Sequence, residues 1–286
     1  MSDVVRDLDR LLRGKFSEQG ADPASIPLAH LVKAALVLGV TYGVFMGLYA
    51  ATRAEQPTFL QLAVSAAKVP LLFLLTLVVT FPSLYVFSAL GNSPLRGADT
   101  ARLLLAAVTV NLALLASFGP ITGFFTLSTD SYAFMIVLNV AFFGLSGFVG
   151  LGFLRRSLST LFARAGDDEM RAAEREALAA LSAGEPVTAG AARDADADDE
   201  EEDAARAARA ARRAATESVR AQISARLAAS QRVFRVWIVI YAIVGAQMAW
   251  ILRPFVGAPS LPFQLFRPRS SNFFEGFWHS VQALFR

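Results

Sequence analysis

One stretch limits what this chain can fold into more than any other. Residues 59–90, FLQLAVSAAKVPLLFLLTLVVTFPSLYVFSAL, carry a single charge, Lys68. A soluble core helix has no use for so long an apolar run, whereas a bilayer takes about 20 such residues per span. Similar stretches lie at residues 31–51, 101–126, 132–154 and 233–252. The sequence therefore predicts an all-α, polytopic membrane helix bundle with five spans.

The details of each span can be argued further. Lys33 lies near the start of the first, where a long side chain reaches the headgroups. The second stretch is too long for one straight crossing. Residues 57–67 are expected to approach along the interface and 69–90 to cross, with Lys68 at the boundary and a kink at Pro82. The third span is expected to break near Gly119-Pro120. In the fifth, Trp237, Tyr241 and Trp250 fit the aromatic enrichment found at membrane interfaces.

Charge is confined to the rest of the chain. The composition is 55% hydrophobic and only 18% charged, outside the range of ordinary soluble domains. Most charges lie in residues 1–30 and 155–235, so the net charge of +3 says less than the distribution. Five spans put the termini on opposite sides. With the N-terminus in the cytosol, Arg6, Arg10, Arg13, Lys15, Arg96, Arg102, Arg155 and Arg156 fall inside, as the positive-inside rule requires. Arg53 is then the basic residue of the short outer connections, while Arg253, Arg267 and Arg269 in the tail run against the rule. The start, MSDVVRDLDRLLRGKF, has no apolar run before a cleavage site, so no cleaved signal peptide is expected. High Ala and Arg usage suits a GC-rich bacterial genome. The expectation is an integral protein of a bacterial cytoplasmic (inner) membrane, N-terminus in the cytosol and C-terminus outside.

Outside the spans, three segments have their own character. Residues 1–30 hold an amphipathic helix at 3–16, with Val4, Val5, Leu8, Leu11, Leu12 and Phe16 at helical spacing and arginines between them. It suits an anionic membrane surface or docking on the protein itself. Residues 155–232 form a cytosolic insertion of Ala- and Arg-rich helical segments, a coiled-coil-like hairpin joined by a disordered acidic linker at 184–203. Asp194, Asp196 and Asp198 alternate as in a calcium loop, but Asp199 and Ala205 stand where that loop needs Gly and Glu. Arg206, Arg209, Arg212 and Arg213 line one side of a predicted helix and are expected to be neutralised by the adjacent carboxylates in preference to binding nucleic acid or acidic lipid. In residues 253–286, a Pro-rich segment precedes an amphipathic helix at 272–285. Phe273, Phe274, Phe277, Trp278 and Phe285 form its apolar side, read as an interfacial anchor, and Asn272 and Glu275 have capping-box spacing.

Chemistry is sparse. There are no cysteines, and the two histidines, His30 and His279, are far apart, so neither a metal nor a cofactor is expected. No nucleophile elbow, phosphate loop or zinc-protease motif occurs. No Asp or Glu lies within a predicted span, which weighs against a proton relay but not a passive pore. The polar residues within the spans are neutral: Tyr42, Thr80 and Asn111 at mid-membrane depth, Asn139 and Gln247 nearer one face. They are read as a polar cluster, either interhelical hydrogen bonding or a polar path. Gly144, Gly147 and Gly150 are expected to let the fourth span approach a neighbour closely.

Five spans, a cytosolic N-terminus and Pro70 early in KVPLLFLLTLVV resemble the Yip family of five-span membrane proteins, over residues 30–155 and 233–252. The charged insertion departs from that pattern. The resemblance implies a role in membrane organisation and supplies no catalytic residues. The expected function is a non-enzymatic scaffold or accessory subunit that binds the lipid bilayer and recruits a protein partner through the insertion or the C-terminal helix. The alternative is a channel or transporter subunit with a neutral polar path between the spans.

Overall fold

The computed structural model describes residues 2–13, 26–53, 59–90, 97–182, 235–253 and 272–284, with isolated positions from 214 to 232 and from 255 to 266. Every regular element among them is a helix: α1 Ser2–Leu12, α2 Leu28–Arg53, α3 Phe59–Leu90, α4 Gly97–Ser128, α5 Tyr132–Ser182, α6 Arg235–Leu252 and α7 Phe273–Leu284. Five of these, α2 to α6, contain stretches long and apolar enough to cross a membrane. The protein is an all-α integral membrane protein. One compact unit gathers residues 1–87, 96–158 and 235–286, and a second gathers 88–95 with 159–234. The acidic linker at 184–203 and Phe285 lie outside the described residues.

Helices in lipid gain nothing from burying apolar surface against each other, so close packing must come from small residues. On α2 these are Gly39, Gly43 and Gly47, spaced four apart along one face. A methyl group on Gly39 would lie 2.7 Å from Pro70 Cβ, one on Gly43 would lie 2.5 Å from the Ser65 carbonyl oxygen, and one on Gly47 would lie 2.7 Å from Leu62 Cα. The α2 and α3 backbones therefore touch along two full turns. On its other side α2 meets α4, where Gly119 and Gly123 receive the Phe45 ring. Around these contacts lies a core of Tyr42, Met46, Tyr49, Val69, Leu112, Leu115 and Met135, all nearly inaccessible.

The break expected near Gly119-Pro120 is absent, and Pro82, where a kink is expected, lies inside an unbroken helix. The helix α3 is continuous from Phe59 to Leu90 with Pro70 and Pro82 inside it, and α4 runs through Pro120. Residues 59–67 therefore belong to the same helix as the crossing segment, not to a separate interfacial approach. A proline removes one backbone donor, and membrane helices tolerate this where neighbours pack against the site. Pro70 is covered by Gly39, and Gly119 beside Pro120 by Phe45.

The turn between α4 and α5 is closed locally. The Thr129 hydroxyl accepts from Ser131 N–H at 3.2 Å, the Ser131 hydroxyl accepts from Phe134 N–H at 3.2 Å, and Tyr49 on α2 donates to the Asp130 carbonyl at 2.7 Å. At the opposite end of the bundle, α1 docks on α2 and α4. Leu11 is buried with Ile26, Leu31, Leu105, Ala106 and Val110, and His30 Nδ1 is 2.8 Å from Asp7 Oδ2. Of the two readings of this helix, docking on the protein is the one seen. Its arginines face Asp3, Asp7 and Asp9 three or four residues away, in exposed pairs that contribute little stability.

Candidate functional site

The predicted polar residues separate into distinct environments. Tyr42 donates its hydroxyl to Asn139 Oδ1 at 2.7 Å, and Asn139 Nδ2 donates to the Met135 carbonyl at 2.7 Å. Both side chains are buried. Thr80 is elsewhere. Its hydroxyl donates back to the Thr76 carbonyl at 2.7 Å, while its own carbonyl accepts from the indole of the buried Trp237 on α6 at 3.2 Å. Asn111 stands apart from both, its Oδ1 enclosed and without a hydrogen-bond partner. Gln247, on α6, is half-buried and joins none of them. Of the five, Tyr42 and Asn139 are the pair hydrogen-bonded to each other.

The glycine expectation for the fourth span is corrected. A methyl group on Gly144 or Gly147 would meet no atom within 4 Å. Only Gly150 is close to a neighbour, at 3.1 Å from Asn111 Cβ. Gly144 and Gly147 instead line a cavity of about 900 Å³ bounded by α3, α4, α5 and α6, with α7 across one end. Its walls are mainly aliphatic and aromatic, including Leu72, Phe73, Phe143 and Tyr241. Arg253 is the one charged residue among its described lining residues, and its guanidinium carbon lies 3.7 Å from the centre of the Trp250 ring. Ligand cavities in proteins typically measure about 300–1,000 Å³, so this one stands near the upper end.

The described residues that follow α6 meet α2 and α3. The Phe255 carbonyl accepts from Gln61 Nε2 at 3.2 Å and from the Ser65 hydroxyl. Gly257, at φ 65°, approaches Ala50 and Gln61, a backbone conformation and a clearance that favour glycine. Farther on, the Lys68 ammonium donates to the Leu265 carbonyl and lies 4.9 Å from the centre of the Phe266 ring. Lys68 is only 4% exposed and acts as a buried clamp on the tail, a role the sequence did not suggest.

The helix α7 begins with the predicted cap, Glu275 N–H donating to Asn272 Oδ1 at 3.0 Å. Its apolar residues divide between two directions. Phe273 and Phe277 stack on each other at 6.2 Å and line the cavity, and Gly276 accommodates the Trp250 indole. Phe274 and Trp278, one helical position round, remain 57% and 60% exposed.

No family model, curated protein or solved structure matches this chain.

Sequence reasoning missed the tail clamp and the α2 glycine face. The second had a readable signal, three glycines spaced four apart in an apolar run. The first had none, since nothing in Gln61, Ser65 and Lys68 names a partner almost two hundred residues away.

Proposed function

We propose that this protein is a non-enzymatic membrane scaffold or accessory subunit that presents the outer face of α7 to a partner protein. The observation that carries this reading is the division of α7. The helix is already held by Phe273, Phe277 and Gly276, so the exposed pair Phe274 and Trp278 is not needed to fix it in place. Aromatic side chains of this kind dominate protein interfaces. The cytosolic insertion is a second proposed contact. The resemblance to Yip-type proteins, with their role in membrane organisation, points the same way. The distribution of Lys and Arg supports an N-terminus inside, and the high Ala and Arg usage supports a bacterial inner membrane.

The conduit alternative is less well supported. Tyr42 and Asn139 satisfy each other, Thr80 bonds within its own helix, and the large cavity is lined mainly by apolar groups. A photocrosslinking residue at Trp278, introduced in the native host, is expected to give one discrete heavier adduct that disappears with Phe274→Ala. Proteoliposomes are expected to leak potassium no faster than protein-free vesicles. Absence of a discrete adduct together with protein-dependent flux would contradict the scaffold reading.

A further inference from the structure

The cavity beside α5 is apolar over most of its wall, but two polar side chains on that wall have hydrogen bonds left unmade. Asn111 on α4 keeps its Oδ1 enclosed and without a partner. On α6 the ring of Tyr241 lies against Trp237, with centres 5.3 Å apart, and among the described residues its hydroxyl meets no donor or acceptor. Other polar side chains of the wall are already engaged. Thr76, Asn139 and Ser280 donate to the carbonyls of Leu72, Met135 and Gly276, and the Trp237 indole donates to the Thr80 carbonyl.

The two unengaged groups share a depth. Tyr241 lies between Trp237, which meets Thr80, and Gly245, which faces Thr76. On α2, Gly39 packs on Pro70 and the Leu31 carbonyl meets Thr109. Eight residues of a helix rise about 12 Å, so the antiparallel α3 brings Val78 level with Thr109. Asn111 is two residues farther on, within about one helical turn of the depth of Tyr241.

That position fixes the chemistry of an occupant. A polar group between membrane helices has no bulk water to turn to. A single water would leave most of the 900 Å³ empty. The occupant needs a large apolar body and one small polar group. That group is uncharged, because Arg253, the one charged residue of the described lining, lies about 18 Å along α6 from Tyr241. A carbonyl only accepts and would leave Asn111 Oδ1 orphaned, whereas a hydroxyl both donates and accepts. The terminal torsion of Asn is broad and two-fold, so either end of the amide can turn to the cavity. Along α5, Gly150 packs beside Asn111, and Gly147 and Gly144 beyond it leave open space.

We propose that this cavity binds an uncharged lipid alcohol. Its hydroxyl bridges Asn111 and Tyr241, and its hydrocarbon body lies along Gly147 and Gly144. The assignment rests on those two polar side chains and is independent of what α7 recruits.

The test uses the full chain in phosphatidylcholine nanodiscs and two probes, a diacylglycerol and an isoprenoid alcohol, each with a photoreactive diazirine in its hydrocarbon. The methyl ether of each probe, which lacks the donor, is its control. Peptides of α4, α5 and α6 that border the cavity are expected to be labelled roughly fivefold more by one of the alcohols than by its ether, as one net hydrogen bond implies. The alcohol that shows the preference identifies the source. Asn111→Leu should erase the preference, whereas Tyr241→Phe should lower labelling by alcohol and ether alike. In lipid-free detergent Asn111→Leu should melt no lower than the wild type, since it removes an acceptor that nothing in the protein satisfies. Equal labelling by alcohol and ether for both probes in the wild type would overturn the proposal without recourse to any variant. So would a preference that survives Asn111→Leu, or a lower Tm for that variant, which would make Asn111 a structural residue.

Discussion

Gly43 and Gly147 both lie in apolar helices, yet the structure gives them opposite roles. A Cβ on Gly43 would lie 2.6 Å from the Ala66 Cα, whereas one on Gly147 would meet nothing. Gly43→Ala must push α2 and α3 apart, and overpacking of this kind typically costs about 1–3 kcal/mol. Gly147→Ala fills space that is already there and removes glycine's helix penalty, so it should be neutral or stabilising by up to about 1 kcal/mol. Thermal unfolding of the two variants in the same detergent checks both signs at once. Tyr42 supplies a second prediction at this scale. Tyr42→Phe leaves Asn139 Oδ1 without its donor, and the expected loss is about 0.6–2 kcal/mol. A cycle with Asn139→Leu separates the bond from the packing: if the two losses simply add, the hydrogen bond contributes nothing. That Tyr42 meets Asn139 was not legible in the sequence. Counting residues from a membrane face fixes depth, which had grouped Tyr42 with Thr80 and Asn111. It says nothing about which way round its helix a residue points, and rotation decided the partners.

Among the elements, the tail and α3 are the most closely tied. Lys68 reaches the Leu265 carbonyl and the Phe266 ring from within a membrane helix, where an uncompensated ammonium would be costly. Lys68→Met keeps the length of the side chain and removes the donor, so residues 263–266 should become more open to protease while α2 to α5 remain inserted. Unchanged digestion would show that this contact does not hold the segment. For α7, anchoring belongs to Phe273 and Phe277. Replacing both with Ser should detach the helix, whereas Phe274→Ala with Trp278→Ala should leave its protease protection at the wild-type level. The reverse pattern would mean that α7 is held by lipid through its exposed face. The sequence located this helix and its Asn272 cap because both are local signals. It could not divide the aromatic residues into two faces, since one broad apolar arc looks the same whether one side or both are covered. Pro120 misled for a related reason: in water a Gly-Pro pair would end the helix, whereas α4 runs on through it, with Phe45 packed against the neighbouring Gly119.

At the scale of the whole molecule, the number of spans was the most legible feature, because the bilayer fixes the length of apolar chain that each crossing needs. That number also carries the largest consequence: the five-span account requires α6 to put the insertion and the C-terminal segment on opposite sides of the membrane. The chain contains no cysteine, so single cysteines can be introduced and read without background. The most direct measurement is labelling of Thr188→Cys and Arg286→Cys in intact cells by a maleimide that cannot cross the membrane. Arg286→Cys is expected to react at once, and Thr188→Cys only after the membrane is permeabilised. Reaction of both from the same side would contradict the five-span account and require an even number of crossings.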